Sequence, residues 1–212
     1  MHQVEHTPHT GVHTKVTMRW RTFKDFGSLT ELFSVRVGPV TLPRDYTGQS
    51  CSLARSLEIV GERWTLLIVR DAFYGVRRFG DFAAHLGVPR AVLTDRLTTL
   101  TGADVLARVP GTGRREVYEL TPKGVSLWPA VRALTVWGDE HYATGGPRRI
   151  FRHAADDAPI AADGRCTRCD AAVEVRDILV TPGPGLGSGD EDDDPVTVAL
   201  SRPHRLLQPL RG

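Results

Sequence analysis

The chain has 212 residues with 41% apolar and 25% charged content, which is ordinary for a soluble globular protein with one good core. Its formal net charge of +2 is too small to argue for nucleic acid, so any electrostatic case rests on where the arginines sit. No apolar run approaches the roughly 20 residues of a bilayer span, and three cysteines without a signal peptide point to a reducing, cytoplasmic setting.

Residues 1–39 show no steady period and are expected to be a disordered N-terminal extension. His2, His6, His9 and His13 are irregularly spaced, with no cysteine or carboxylate cluster beside them, and read as a polar tail. An ordered domain is expected over 40–146. Leu53, Leu57 and Val60 recur at helical spacing between Ser52 as N-cap and Gly61 as stop. Trp64, Leu67, Ile68 and Ala72 mark a second helix, ending near Tyr74-Gly75. Phe79, Phe82, Ala83 and Leu86 make a third stripe, closed by Gly87. Pro89 suits the first turn of a fourth helix, which buries Leu93, Leu97 and Leu100 and ends at Gly102.

Val105 to Val109 and Arg115 to Leu120 read as two strands joined through Pro110-Gly111-Thr112-Gly113. A turn at Thr121-Pro122-Lys123-Gly124 leads into a further helix with Leu127, Val131, Leu134 and Trp137 on its apolar stripe. The fold class is therefore mainly α with a β-hairpin, a winged helix-turn-helix. A small β appendage carrying Cys166-x-x-Cys169 is expected over 147–185. Residues 186–212, with the acidic run Asp190 to Asp194, are expected to be a flexible tail.

A helix-turn-helix lays its second helix in the major groove with the N-terminal side chains at the base edges. Setting Leu93, Leu97 and Leu100 inward turns Ala91, Thr94, Asp95 and Thr98 outward, with Pro89 and Arg90 at the leading end. Arg90 can donate to guanine or phosphate, and Thr94 can meet a base edge or a thymine methyl. Asp95 is repelled by phosphate, so local pairing with an arginine is favoured over acceptance from a cytosine amino group. Arg108, Thr112, Arg114 and Arg115 stand where a wing meets backbone or minor groove, and Arg77 and Arg78 add further charge. The bland alternative is a helical protein with a solvated basic hairpin.

Cys51-Ser52-Leu53-Ala54 through Gly61-Glu62-Arg63-Trp64-Thr65 resembles the opening of HxlR-type winged helix-turn-helix regulators. Arg78-Phe79-Gly80-Asp81-Phe82, Leu93-Thr94-Asp95-Arg96-Leu97, Tyr118-Glu119-Leu120-Thr121-Pro122-Lys123-Gly124 and Leu134-Thr135-Val136-Trp137-Gly138 continue the resemblance in order, over about Cys51 to Tyr142. It implies a bacterial transcription regulator that binds operator DNA as a homodimer, with the dimer built from the first helix region and the helix after the wing. Trp128, Leu134, Trp137 and Tyr142 offer mass for that contact or for the internal core.

The resemblance also implies a role for Cys51, because some family members sense electrophiles or oxidants through a cysteine just before the first helix. A helix N-terminus favours thiolate and Arg55 is near; the alternative is a half-buried small residue without a signalling role. Cys166-x-x-Cys169 is half of a zinc site. His153 is a third candidate ligand, and Asp156 or Asp157 a weak fourth, against a vestigial knuckle or a plain dithiol. Ligand- or redox-responsiveness thus joins DNA binding among the expectations. A Cys-based redox protein and an interaction module that has lost DNA binding are the alternatives. No Gly-rich phosphate loop, paired catalytic carboxylates or nucleophile triad can be placed, so no enzyme is expected.

Overall fold

The computed structural model describes residues 46, 48–112, 115–186 and 194–210. Helix α1 (Ser52–Val60) is capped by Cys51 and stops where the Gly61 amide donates to the Leu57 carbonyl at 2.8 Å. Helix α2 (Thr65–Phe73) buries Ile68, Val69, Ala72 and Phe73. Helix α3 (Phe79–Leu86) ends on Gly87, whose left-handed φ of 60° opens the tight turn. Helix α4 (Arg90–Gly102) follows at once. Pro89 is its cap rather than part of its first turn. Leu93, Leu97 and Leu100 of α4 are fully buried.

Strands β1 (Leu106–Pro110) and β2 (Glu116–Leu120) pair antiparallel, Leu106 opposite Leu120 and Pro110 opposite Glu116. Val105 stays outside the ladder because its amide donates back to the Leu100 carbonyl at 2.9 Å, closing the helix end. The Tyr118 amide donates to the Arg77 carbonyl at 2.8 Å, which ties this wing to the link between α2 and α3. Helix α5 (Pro122–Val125) is capped by the Thr121 hydroxyl, which accepts from the Gly124 amide at 3.0 Å. Helix α6 (Trp128–Tyr142) completes the helical part.

Beyond α6, β3 (Arg149–His153), β4 (Ile178–Pro182) and β5 (His204–Arg205) form an antiparallel sheet in the order β3-β4-β5, and helix α7 (Pro195–Ala199) precedes β5. The β element expected after residue 147 is present, but the boundary drawn there is not a packing boundary. Phe151, Ile178, Val180, Val196, Leu200 and Leu206 share one hydrophobic core with Phe73 and Trp128. Trp128 bridges the two parts edge-on, 5.1 Å from the Phe73 ring and 5.3 Å from the Phe151 ring.

The expectation of a flexible tail over 186–212 is corrected for its described residues 194–210. The Leu207 amide donates to the Phe73 carbonyl at 2.8 Å and the Leu210 amide to the Gly75 carbonyl at 3.2 Å. Gly75 has φ 88°, and a Cβ there would sit 1.7 Å from the Gln208 carbonyl oxygen, so this close approach requires glycine. Asp194, read as the end of a solvated acidic run, caps α7 by accepting from the Val196 and Thr197 amides at 2.9 and 3.2 Å. The segment folds because Val196, Leu200 and Leu206 find cover against distant parts of the chain. A stretch that short shows no period of its own. The N-terminal extension over 1–39 and residues 187–193 lie outside the described residues.

Candidate nucleic-acid interface

The turn at Gly87 and the buried leucines of α4 set that helix with one face outward. Pro89, Arg90, Ala91, Thr94, Asp95 and Thr98 are all exposed on it. The Thr94 hydroxyl donates to the Arg90 carbonyl at 2.9 Å and the Thr98 hydroxyl to the Thr94 carbonyl at 2.8 Å. Each oxygen keeps acceptor capacity toward solvent. The Arg90 guanidinium lies 4.9 Å from the Phe79 ring centroid, which holds it at the positive N-terminal end of α4. Free helix amides and a fixed cation at one point favour an anion.

Arg108, Thr112 and Arg115 are exposed on the wing, with Arg108 5.7 Å from the Tyr118 ring centroid. A cleft of about 790 Å³ separates wing from helices. Arg78, Gly80 and Arg90 line its helical side; Thr112, Arg115 and Glu116 line the wing side. Residues separated in sequence by a whole helix and a strand therefore face one space. Arg114, the remaining wing arginine of the sequence reading, lies outside the described residues.

Arg77 and Asp95, both expected contact residues, are engaged in ion pairs within the protein. Arg77 pairs with Glu119 at 2.6 Å and donates to the Leu207 carbonyl at 3.4 Å, stitching link, wing and C-terminal segment together. Asp95 pairs with Arg96 at 2.6 Å, and Arg96 reaches Glu62 at 3.4 Å. The negative charge at the reading face is thus compensated locally.

The sequence reading passed over the group that holds α3 in place. Asp71 is wholly buried on α2, and its carboxylate pairs with Arg70 and with His85 Nδ1, each at 2.7 Å. His85 is in the last turn of α3, so this carboxylate pins the first helix of the reading unit to the core. The available signal was a lone acid between the apolar positions Ile68 and Ala72. Phe79, one of the apolar stripe, also carries the Arg90 contact, and Glu116 joins the cleft lining. A second cavity of about 400 Å³ lies between α2 and α6, lined by Leu66, Leu67, Tyr74, Val131, Leu134 and Asp139 among others. Burial pushes the Tyr74 phenol up, and burial raises the Asp139 carboxyl against the opposing pull of Arg132.

Trp128 belongs to the core, whereas the other candidates for a dimer contact do not. Leu134, Trp137 and Tyr142 on α6 are 53%, 52% and 73% exposed, and Leu53 on α1 is 65% exposed. Leu57 and Leu67 are also exposed. The Trp137 and Tyr142 rings stack edge-on 5.1 Å apart. The apolar face of α1 buries only Ala54.

Cys51 is an exposed free thiol at the N-cap of α1. His153, Cys166 and Cys169 meet at one point with Asp156, their ligand atoms all within 4.8 Å of one another. Asp157, the other carboxylate considered, turns instead to Arg152 at 3.6 Å. No helix among the described residues is long and apolar enough to cross a membrane.

Known proteins match this arrangement. A family model described as HxlR-like helix-turn-helix matches residues 59–145. An uncharacterised HTH-type transcriptional regulator of Mycobacterium tuberculosis is 43% identical over 141 residues, covering 64% of this chain and 87% of that protein. The HTH-type regulator YvaP of Bacillus subtilis is 34% identical over 89 residues, covering 41% of this chain and 82% of its own. Among solved structures, a protein described as a transcription factor, PA1607, is 33% identical with a TM-score of 0.44, covering 69% of this chain and 95% of its own. The chain belongs to the HxlR-like helix-turn-helix family of DNA-binding transcriptional regulators.

Proposed function

We propose that the protein is a non-enzymatic, cytoplasmic regulator that binds operator DNA as a homodimer, with α4 in the major groove and the wing on backbone or minor groove. One observation carries the reading: the α4 face of Arg90, Ala91, Thr94 and Thr98 is exposed, and Arg90 at its leading end lines a cleft together with Arg78 and Arg115. Arg90, Arg108 and Arg115 hold phosphate or guanine, and Thr94 and Thr98 meet base edges. Arg114 belongs with the wing contacts by sequence. Asp95 serves to orient Arg96, and Arg77 braces the wing; neither is assigned a base.

The homodimer reading rests on the apolar surface of Leu53 on α1 and of Leu134, Trp137 and Tyr142 on α6, which the described residues leave uncovered. A two-fold axis through it would present two α4 helices to half-sites about one helical turn apart. Cys51, exposed at the start of α1, is the thiol through which an oxidant or electrophile would act.

Titrating the protein into the promoter duplex flanking its own gene, across a salt series, tests this. The expected outcome is operator affinity well above that for an unrelated duplex, with a steep salt dependence. Equal and weak binding to all duplexes would favour an interaction module without DNA binding. Diamide treatment should lower operator affinity in the wild type and not in Cys51→Ser; unchanged affinity in both removes the thiol from the reading.

A further inference from the structure

The long connection between β3 and β4 carries a cluster that DNA binding does not use. Residues 154–174 run without regular strand or helix, and loops of this length inside a compact domain call for a local constraint. Four side chains of distinct chemistry converge there. Cys166 Sγ is 3.4 and 3.3 Å from the two Asp156 carboxylate oxygens, Cys169 Sγ is 3.5 Å from His153 Nδ1, and His153 Nδ1 is 3.5 Å from Asp156 Oδ1.

We propose that His153, Asp156, Cys166 and Cys169 form a four-coordinate structural zinc site. Bonds of about 2.3 Å to sulfur and about 2.0 Å to nitrogen or oxygen, at tetrahedral angles, put neighbouring ligand atoms roughly 3.3–3.8 Å apart. Three edges of such a tetrahedron, Cys166 to Asp156, Cys169 to His153 and His153 to Asp156, are already 3.3 to 3.5 Å long, and all four ligand atoms lie within 4.8 Å of one another. Two thiolates with an imidazole and a carboxylate suit zinc over magnesium or calcium, which prefer oxygen.

The surroundings orient the ligands. The Ala158 amide donates to Asp156 Oδ1 at 3.1 Å, and the Arg168 amide points at Cys166 Sγ at 3.5 Å. The Asp170 amide donates to the Cys166 carbonyl at 3.0 Å, closing the turn that brings the two cysteines to one side. Two thiolates, a carboxylate and a neutral imidazole leave a divalent ion with one excess negative charge. Arg168 Nη1 donates to the Asp156 carbonyl at 2.6 Å, so a cation already stands beside it.

Four protein ligands leave no position for substrate, so the role is structural. The ion would staple the cysteine turn to the end of β3. The stapled loop also braces α6, where Arg132 donates to the Ile160 carbonyl at 3.3 Å and lies 5.0 Å from the Phe151 ring centroid. Binding converts two thiols to thiolates, so each zinc taken up releases two protons to the buffer.

The test uses the full chain, reduced and stripped of metal. Zinc titration with a competing chromophoric chelator should reach one ion per chain, with proton release read in weak buffer. Cobalt substitution should give the near-ultraviolet thiolate charge-transfer band and the strong visible bands of tetrahedral cobalt. Cys169→Ser changes an exposed ligand and should keep the fold while weakening zinc binding by more than about 100-fold, beyond what outer-shell changes cost. Cys51→Ser should bind as the wild type does. Should wild-type protein take up no zinc, or Cys169→Ser bind it undiminished, the site is overturned. The cobalt spectrum of the wild type decides the matter even if Cys166→Ser, at a buried position, fails to fold.

Discussion

Replacing Arg90 by alanine probes the reading face at its most defined point. Arg90 is the first residue of α4, exposed, and held against the Phe79 ring at 4.9 Å. In a dimer the substitution removes two cations from the interface. Counterion release contributes a log–log salt slope of about 0.9 per phosphate neutralised, so the slope should flatten by about 1.8. At an ionic strength of about 0.15 M, two such contacts amount to roughly a 30-fold loss of affinity, or about 2 kcal/mol. The fold should lose little, because an exposed cation–π contact is worth only about 0.5–1 kcal/mol. Fluorescence anisotropy with operator and unrelated duplexes at several salt concentrations reads both numbers. Equal loss on the two duplexes assigns Arg90 to phosphate, and loss confined to the operator assigns it to a guanine edge. Arg77→Ala is the contrast, since Glu119 and the Leu207 carbonyl already engage that side chain, and its salt slope should match the wild type. An Arg90→Ala protein with unchanged affinity and unchanged slope would refute the assignment of α4 as the reading helix.

Three further outcomes are expected. Trp137→Asp, at a site 52% exposed, should turn a sedimenting dimer into a monomer with its circular dichroism intact; a variant that stays dimeric places the interface elsewhere. Leu206→Ala should cost about 3 kcal/mol in urea unfolding, as for other buried leucines, whereas a loose tail would cost nothing. Asp194→Ala should cost about 1 kcal/mol at neutral pH through the lost helix cap. Burial works to raise the Asp194 carboxyl, but hydrogen bonds from Thr197 and Val196 outweigh it and hold it below the ordinary 3.8. A depressed acid stabilises the fold above its unfolded pKa and loses that contribution as pH falls through its folded value. The gap between wild type and Asp194→Ala should therefore be constant from neutral pH down to the usual aspartate range and close below it; a gap that persists in acid would contradict the capping account.

Local patterns were enough to locate the helices from α1 to α4 and the wing. Leu93, Leu97 and Leu100 announce an α4 whose opposite face must be Ala91, Thr94, Asp95 and Thr98, because helical periodicity ties the two faces together. Glycine at 87 marks the turn for the same reason, as a backbone requirement readable from one residue. Trp128 and Trp137 look alike in sequence, yet one is buried between Phe73 and Phe151 and the other stands outside. Periodicity says that a face is apolar and not what covers it. Nor does sequence spacing reveal that Arg77 is consumed by Glu119, or that Arg78, Arg90 and Arg115 border one cleft. Long-range packing decides those facts. The same packing draws the C-terminal residues, which show no period, onto the helical core through Leu200 and Leu206. It also selects Asp156 over Asp157 to stand with His153, Cys166 and Cys169. Composition and period thus determined the helices from α1 to α4 and which of their faces are polar. Only the fold determined which of those faces meet each other and which remain for a partner, because that choice depends on contacts between residues far apart in the chain.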